Sequence, residues 1–158
     1  MKKIFQLLCQ VSNLLTNIMN FFAPFFALGL RIWIASIYFW SGWLKINSWG
    51  STLTLFAYEY KVPVISPQFA AYLGTGSELI FSLLLLLGLG ARLPAIALFC
   101  TNVVMVISYP ILLTPEGACM VQEHYLWGLT FATLAFYGHG WISLDHLVQK
   151  KICKEYRY

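Results

Sequence analysis

Four apolar stretches, each near the length that crosses a bilayer, constrain this chain more than anything else in it. Residues 22–44, 70–89, 93–113 and 125–141 fall within the roughly 17–25 residues a transmembrane helix uses. Composition agrees: 59% of the 158 residues are hydrophobic and 10% are charged, with a mean hydropathy of +0.71. Soluble domains carry about 25% charged residues, and a soluble sphere with so few would expose large apolar patches. A cytosolic enzyme, a disordered chain and a nucleic-acid module are therefore excluded. The net charge of +4 is modest and gathers near the termini. Lipid offers no partner to a free backbone group, so the spans must be helices. The expected fold is all-α: one membrane domain, a four-helix bundle.

The flanking segments complete this expectation. Ile4, Leu7, Leu8, Val11, Leu14, Leu15, Ile18, Phe21 and Phe22 recur at helical spacing, with Gln6, Gln10, Asn13, Thr16, Asn17 and Asn20 on the other face. That pattern predicts an amphipathic helix over 4–21 lying at the membrane interface. A signal peptide fits less well, because the apolar run is short and breaks at Gln10, Ser12 and Asn13; Leu8 before Cys9 does not suit a lipoprotein. Only Gly90, Ala91 and Arg92 separate the second and third spans, which predicts a tight antiparallel hairpin. The 45–69 connection, with Pro63, Pro67 and several aromatics, is expected to form an ordered periplasmic cap, and 142–158 a basic cytoplasmic tail. Lys2, Lys3, Arg92, Lys150, Lys151, Lys154 and Arg157 fall on one side of the spans, and Lys45 and Lys61 on the other. The positive-inside rule then places both termini in the cytoplasm of a multi-pass inner-membrane protein.

Polar groups inside spans cost roughly 2.5–3.5 kcal/mol each at mid-membrane and tend to mark function. Arg31, Ala35, Tyr38, Gly42 and Lys45 step by 4, 3, 4 and 3 residues, which keeps them on one helix stripe. Glu78, Ser82, Leu85, Leu89 and Arg92 repeat the steps, as do His124, Gly128, Phe131, Ala135 and Gly138. Fourteen residues of helix rise about 21 Å, so Lys45, Glu78 and His124 are expected at one outer level. Arg31 and Arg92 share the inner level, with Asn102 midway. The sharper reading joins Lys45, Glu78 and His124 in an outward-facing pocket. In it Glu78 and His124 handle protons, Lys45 and Arg31 are electrostatic partners, Asn102 binds ligand, and Trp127 is a wall. The plainer reading has Glu78 and a basic partner pin helices together, with His124 an ordinary interfacial residue.

Other features narrow the chemistry. Trp40, Trp43, Trp49, Tyr58, Tyr60 and Tyr125 suit an aromatic belt, and Gly74, Gly76, Gly88 and Gly90 suit close helix approach. Cys100, inside an apolar run, is expected to be buried, and Cys119 to lie in a loop without a disulfide partner. No paired histidine motif, phosphate loop or nucleophile elbow is present, so no metal site and no resident cofactor is expected. An apolar aromatic slot with a few polar groups suits a quinone-like ligand.

Several pieces taken in order resemble the DoxX family of small four-span bacterial membrane proteins, from Arg31 to Leu147. They are Arg31 with Gly42-Trp43-Leu44-Lys45, then Phe56-Ala57-Tyr58-Glu59-Tyr60-Lys61-Val62-Pro63, and Ala70-Ala71-Tyr72-Leu73-Gly74 leading to Glu78. Leu87-Gly88-Leu89 with Arg92 follows, then His124 with Trp127, and the closing run from Gly138 to Leu147. The resemblance implies a four-helix membrane bundle associated with redox chemistry, since relatives include a subunit of thiosulfate:quinone oxidoreductase. The Tyr-Glu-Tyr-x-Val-Pro piece is similar to members associated with copper-binding, ribosomally made peptides. Two functions are therefore expected: a quinone-binding redox component, or a non-catalytic assembly, maturation or export partner for a small secreted or copper-handling protein. A transporter suits four spans without an inverted repeat less well. Expected partners are lipid and a membrane or periplasmic protein, with a homo-oligomer admitted.

Overall fold

The computed structural model describes residues 2–90, 92–138, 140 and 142–155, and only the backbone of Gln149 and of residues 151–155. His139, Trp141 and Arg157, and the side chains of Lys151, Cys153 and Lys154, lie outside the described residues. Helix α1 runs Lys2–Asn47, α2 Trp49–Tyr58, α3 Pro67–Leu87, α4 Leu93–Ser108, α5 Ala118–Tyr137 and α6 Leu144–Glu155. Two 3₁₀ turns, Pro110–Leu113 and Pro115–Gly117, join α4 to α5. Among the described residues there is no strand.

Local chemistry sets these boundaries. The Ser66 side chain accepts a hydrogen bond from the Phe69 N–H, and Pro67 sits in the first turn of α3, where its missing N–H is harmless. Gly88, at φ 66°, ends α3 in the left-handed region, and the Leu89 N–H closes back on the Leu84 carbonyl. A side chain at Gly88 would collide with Arg31 and Ser143 as well. Pro24 removes one ladder bond of α1 without ending the helix. The segments expected as an interfacial helix over 4–21 and a span over 22–44 are thus one unbroken helix.

Helices α1, α3, α4 and α5 form the bundle, with α1 packed mainly on α3, α3 on α4, and α4 on α5. Ile34, Tyr38, Leu85, Leu98, Phe131 and Leu134 fill its interior. A second cluster, Phe56 with Ala70 and Ala71, seats α2 against the outer end of α3, and Trp49, Leu53 and Tyr60 pack around it. The 45–69 connection is therefore a helix and a short loop resting on the bundle. Ile32, Trp40, Ile80, Leu93, Ile107 and Leu129 point outward and are well exposed. An apolar exterior around an interior holding Arg31, Glu78 and Asn102 is what lipid as solvent selects.

Of the glycines expected to permit close helix contact, Gly74, where a Cβ would stand 3.3 Å from the Phe56 ring of α2, and Gly88 are crowded, whereas Gly76 and Gly90 are not. Nothing lies within 4 Å of a side chain built at Gly76, and Gly90 has only loose contact with Pro94. Gly42 is the position where α1 and α3 meet: a Cβ there would stand 2.8 Å from Leu79 Cγ and 3.2 Å from Glu78 Cβ. Gly128 does the same for α5, with Asn102 Nδ2 at 3.2 Å. Gly42→Leu is expected to lower thermal stability in detergent by about 1–3 kcal/mol through overpacking. Gly29→Ala, with nothing within 4 Å, is the neutral control.

Candidate functional site

The inward stripe of α1 carries Arg31, Ala35, Tyr38 and Gly42, all buried, and ends at Lys45. Its polar groups fall at three levels. At the C-terminal end of α1, Lys45 Nζ meets both Glu78 oxygens, at 2.5 and 2.7 Å, and donates to Ser41 Oγ at 2.9 Å. The Glu78 side chain is 2% exposed and that of Lys45 12%. Thr52 Oγ1 donates to the Lys45 carbonyl at 2.9 Å, fastening the cap to the same place.

Two helical turns deeper lies a second cluster. Asn102 Nδ2 donates to the His124 carbonyl at 2.9 Å, an acceptor only, which fixes the orientation of the amide. Asn102 Oδ1 then accepts from the Tyr38 hydroxyl at 2.7 Å and from His124 Nδ1 at 2.8 Å. The neutral His124 ring must therefore carry its proton on Nδ1, leaving the Nε2 lone pair free. Trp127 packs edge-on against both His124 and Tyr38, with ring centroids at 4.7 and 5.8 Å.

Lys45, Glu78 and His124 therefore do not share one pocket as the spacing suggests. Lys45 and Glu78 pair, whereas His124 joins Asn102 and Tyr38. The cause is the start of α5: it begins at Ala118, so His124 sits six residues, about 9 Å, inside the helix rather than at its outer end. Arg31 is apart from both clusters. Its Nη2 donates to the Ile142 carbonyl, while Nε and Nη1 have no hydrogen-bond partner among the described residues. The Asp145 N–H donates to the Gly88 carbonyl at 3.2 Å. Arg31 and Asp145 thus tie α1 and the end of α3 to the turn after α5.

Glu78 also borders open space. A cavity of about 440 Å³ lies between α3 and α4 beneath the loop after α2. Leu73, Gly74 and Ser77 form one wall, Cys100, Thr101, Val104 and Met105 the other, and Phe56, Tyr60, Val62, Pro63 and Ile65 the roof. Its surface is mostly apolar. Ser77 and Thr101 hydroxyls bridge the two helices at 3.0 Å, and the buried Ser108 hydroxyl has no partner among the described residues. The roof is held by the Lys61 N–H on the Ser108 carbonyl at 2.7 Å and by the Tyr109 hydroxyl on Glu59 at 3.0 Å. Burial, and then the Glu78 charge, push the Tyr60 phenol up to about 12, so it keeps its proton. Arg31, Lys45, Asn102, His124 and Trp127 do not line this cavity. Cys100, expected to be buried, is exposed on its wall. Cys119 lies in the first turn of α5 rather than in a loop. Among the described residues no three His, Cys, Asp or Glu side chains gather as a metal site requires.

Two expectations follow. Glu78→Leu alone leaves a largely buried ammonium and should destabilise the protein by about 3–5 kcal/mol, whereas Lys45→Met with Glu78→Leu should recover most of that loss in a thermal melt. Asn102→Leu should release the His124 ring: nitrogen NMR shifts should move from the pure Nδ1–H tautomer toward a mixture, with about 1–3 kcal/mol lost for each buried group left unpaired.

A family model described as DoxX matches residues 26–110, more than half of the chain, spanning the inward stripe of α1, the cap, α3 and α4. Comparison with curated proteins gave no match, and comparison with solved structures gave none. The matched region holds both partners of the ion pair and all of the cavity. This chain is a membrane protein of the DoxX family.

Proposed function

We propose that this protein is the quinone-holding membrane component of a redox assembly, with the ligand seated in the cavity between α3 and α4. The observation that carries the reading is the combination inside that cavity. Its walls are apolar, one buried hydroxyl at Ser108 is unpaired among the described residues, and a carboxylate–ammonium pair stands at its edge. Buried hydroxyls are nearly always satisfied in folded proteins, so a free one on a cavity wall suits a ligand carbonyl. The volume falls within the few hundred to about 1,000 Å³ of small-molecule pockets. Tyr60, which keeps its proton, is a standing hydrogen-bond donor in the roof. Reducing a quinone to its quinol takes two electrons and two protons; Glu78 with Lys45 serves the protons, and a partner subunit serves the electrons. His124, held by Asn102, is a second proton-handling group deeper in the bundle, away from the ligand. The family resemblance to a subunit of thiosulfate:quinone oxidoreductase supports the same reading.

One observation favours the assembly-partner reading beside it. Val64, at φ 77°, is fully exposed in the roof loop, and Tyr58 at the end of α2 is exposed as well. A β-branched residue held in that region is strained, and an exposed apolar residue on the outer face suits docking of a periplasmic protein.

The test is to purify the protein from its native membrane and measure quinone in the extracted lipid. A stoichiometric amount is expected, lost in Val104→Trp, which fills the cavity, and kept in Leu129→Trp, which faces lipid. Absence of quinone from the wild type, or equal retention by both variants, would remove the reading.

A further inference from the structure

We propose that the first half of α1 pairs in parallel with the same segment of a second copy, zipping two bundles into a homodimer. Residues 2–23 are exposed throughout and take no part in either core cluster. Six of their apolar positions follow a seven-residue repeat, with Leu8, Leu15 and Phe22 flanking it and Phe5 and Met19 outside it. Ile4, Val11 and Ile18 are seven apart, and Leu7, Leu14 and Phe21 stand three further on. A β-branched residue at the first site with leucine at the fourth is the combination that favours two parallel strands. The three repeats cover about 30 Å of helix.

Two observations choose a second copy over a lipid surface. A helix lying flat at the interface must turn through nearly a right angle to become a span, whereas α1 stays helical from Lys2 to Asn47, with Pro24 the one proline inside it. Interfacial helices also carry cations on their polar face. Here no charged residue occurs between Lys3 and Arg31, and residues such as Gln10, Asn13 and Asn17 leave that face neutral. Two copies in one membrane share an orientation, so their α1 extensions emerge on the same side and run parallel. Confinement by the spans raises their effective concentration. The neutral faces add no repulsion between them.

The experiment places single cysteines in a chain lacking Cys9, Cys100, Cys119 and Cys153, followed by mild oxidation in native membranes. A disulfide between identical positions requires Cα atoms within about 7 Å, which only a parallel, in-register pair supplies along a whole helix. Val11→Cys and Leu14→Cys should give covalent dimer at least about tenfold more than Asn13→Cys, which the repeat turns away from the partner. Val11→Asp should convert the dimer to monomer in native nanodiscs while the melting temperature of the bundle stays unchanged. Equal cross-linking at all three positions, cross-linking at none, or a Val11→Asp protein that stays dimeric would overturn the proposal.

Discussion

The ion pair between Lys45 and Glu78 is the interaction on which the rest of this structure depends. In a membrane interior neither charge is tolerable alone, so the pair forces α1 and α3 to meet at that level. Gly42, one turn below Lys45, lets the two backbones come close enough for the pair to close. Replacing such a pair with apolar side chains often leaves stability unchanged, so helix adhesion alone does not require it. The Glu78 carboxylate faces Lys45, and the residue also lines the cavity toward α4.

The three polar levels divide the work of the bundle. At one end, Arg31 fastens α1 to the turn after α5, and the Asp145 N–H ties the end of α3 to the start of α6. Asn102 knots α1, α4 and α5 at mid-depth through Tyr38 and His124. The outer pair joins α1 to α3 and, through Thr52, to the cap. Among the described residues, the Ser77–Thr101 bridge at the cavity is the one direct side-chain hydrogen bond that ties α3 to α4. The cavity lies along this lightly tied seam.

Much of this was legible in the sequence. Steps of three and four residues correctly turn Arg31, Tyr38 and Glu78 inward, because an intramembrane charge has nowhere else to go. His124 was misplaced because hydropathy marks where apolar residues begin, whereas α5 starts earlier, in the polar stretch after Gly117. Cys100 misled for a related reason: in lipid, an apolar neighbourhood signals exposure as readily as burial. The cavity was invisible because it depends on a returning loop whose Lys61 reaches Ser108, 47 residues away, and periodicity carries no trace of such a contact. The pair of hydroxyls at Ser77 and Thr101, each beside an intramembrane polar residue, Glu78 and Asn102, was the signal available for it.

A density map of the protein in native lipid tests the central claim most directly. An elongated feature between α3 and α4, with a polar end against Ser108, Tyr60 or Glu78, is the predicted result. A cavity closed by its own side chains, or a ligand lodged beside His124 and Trp127 instead, would contradict it.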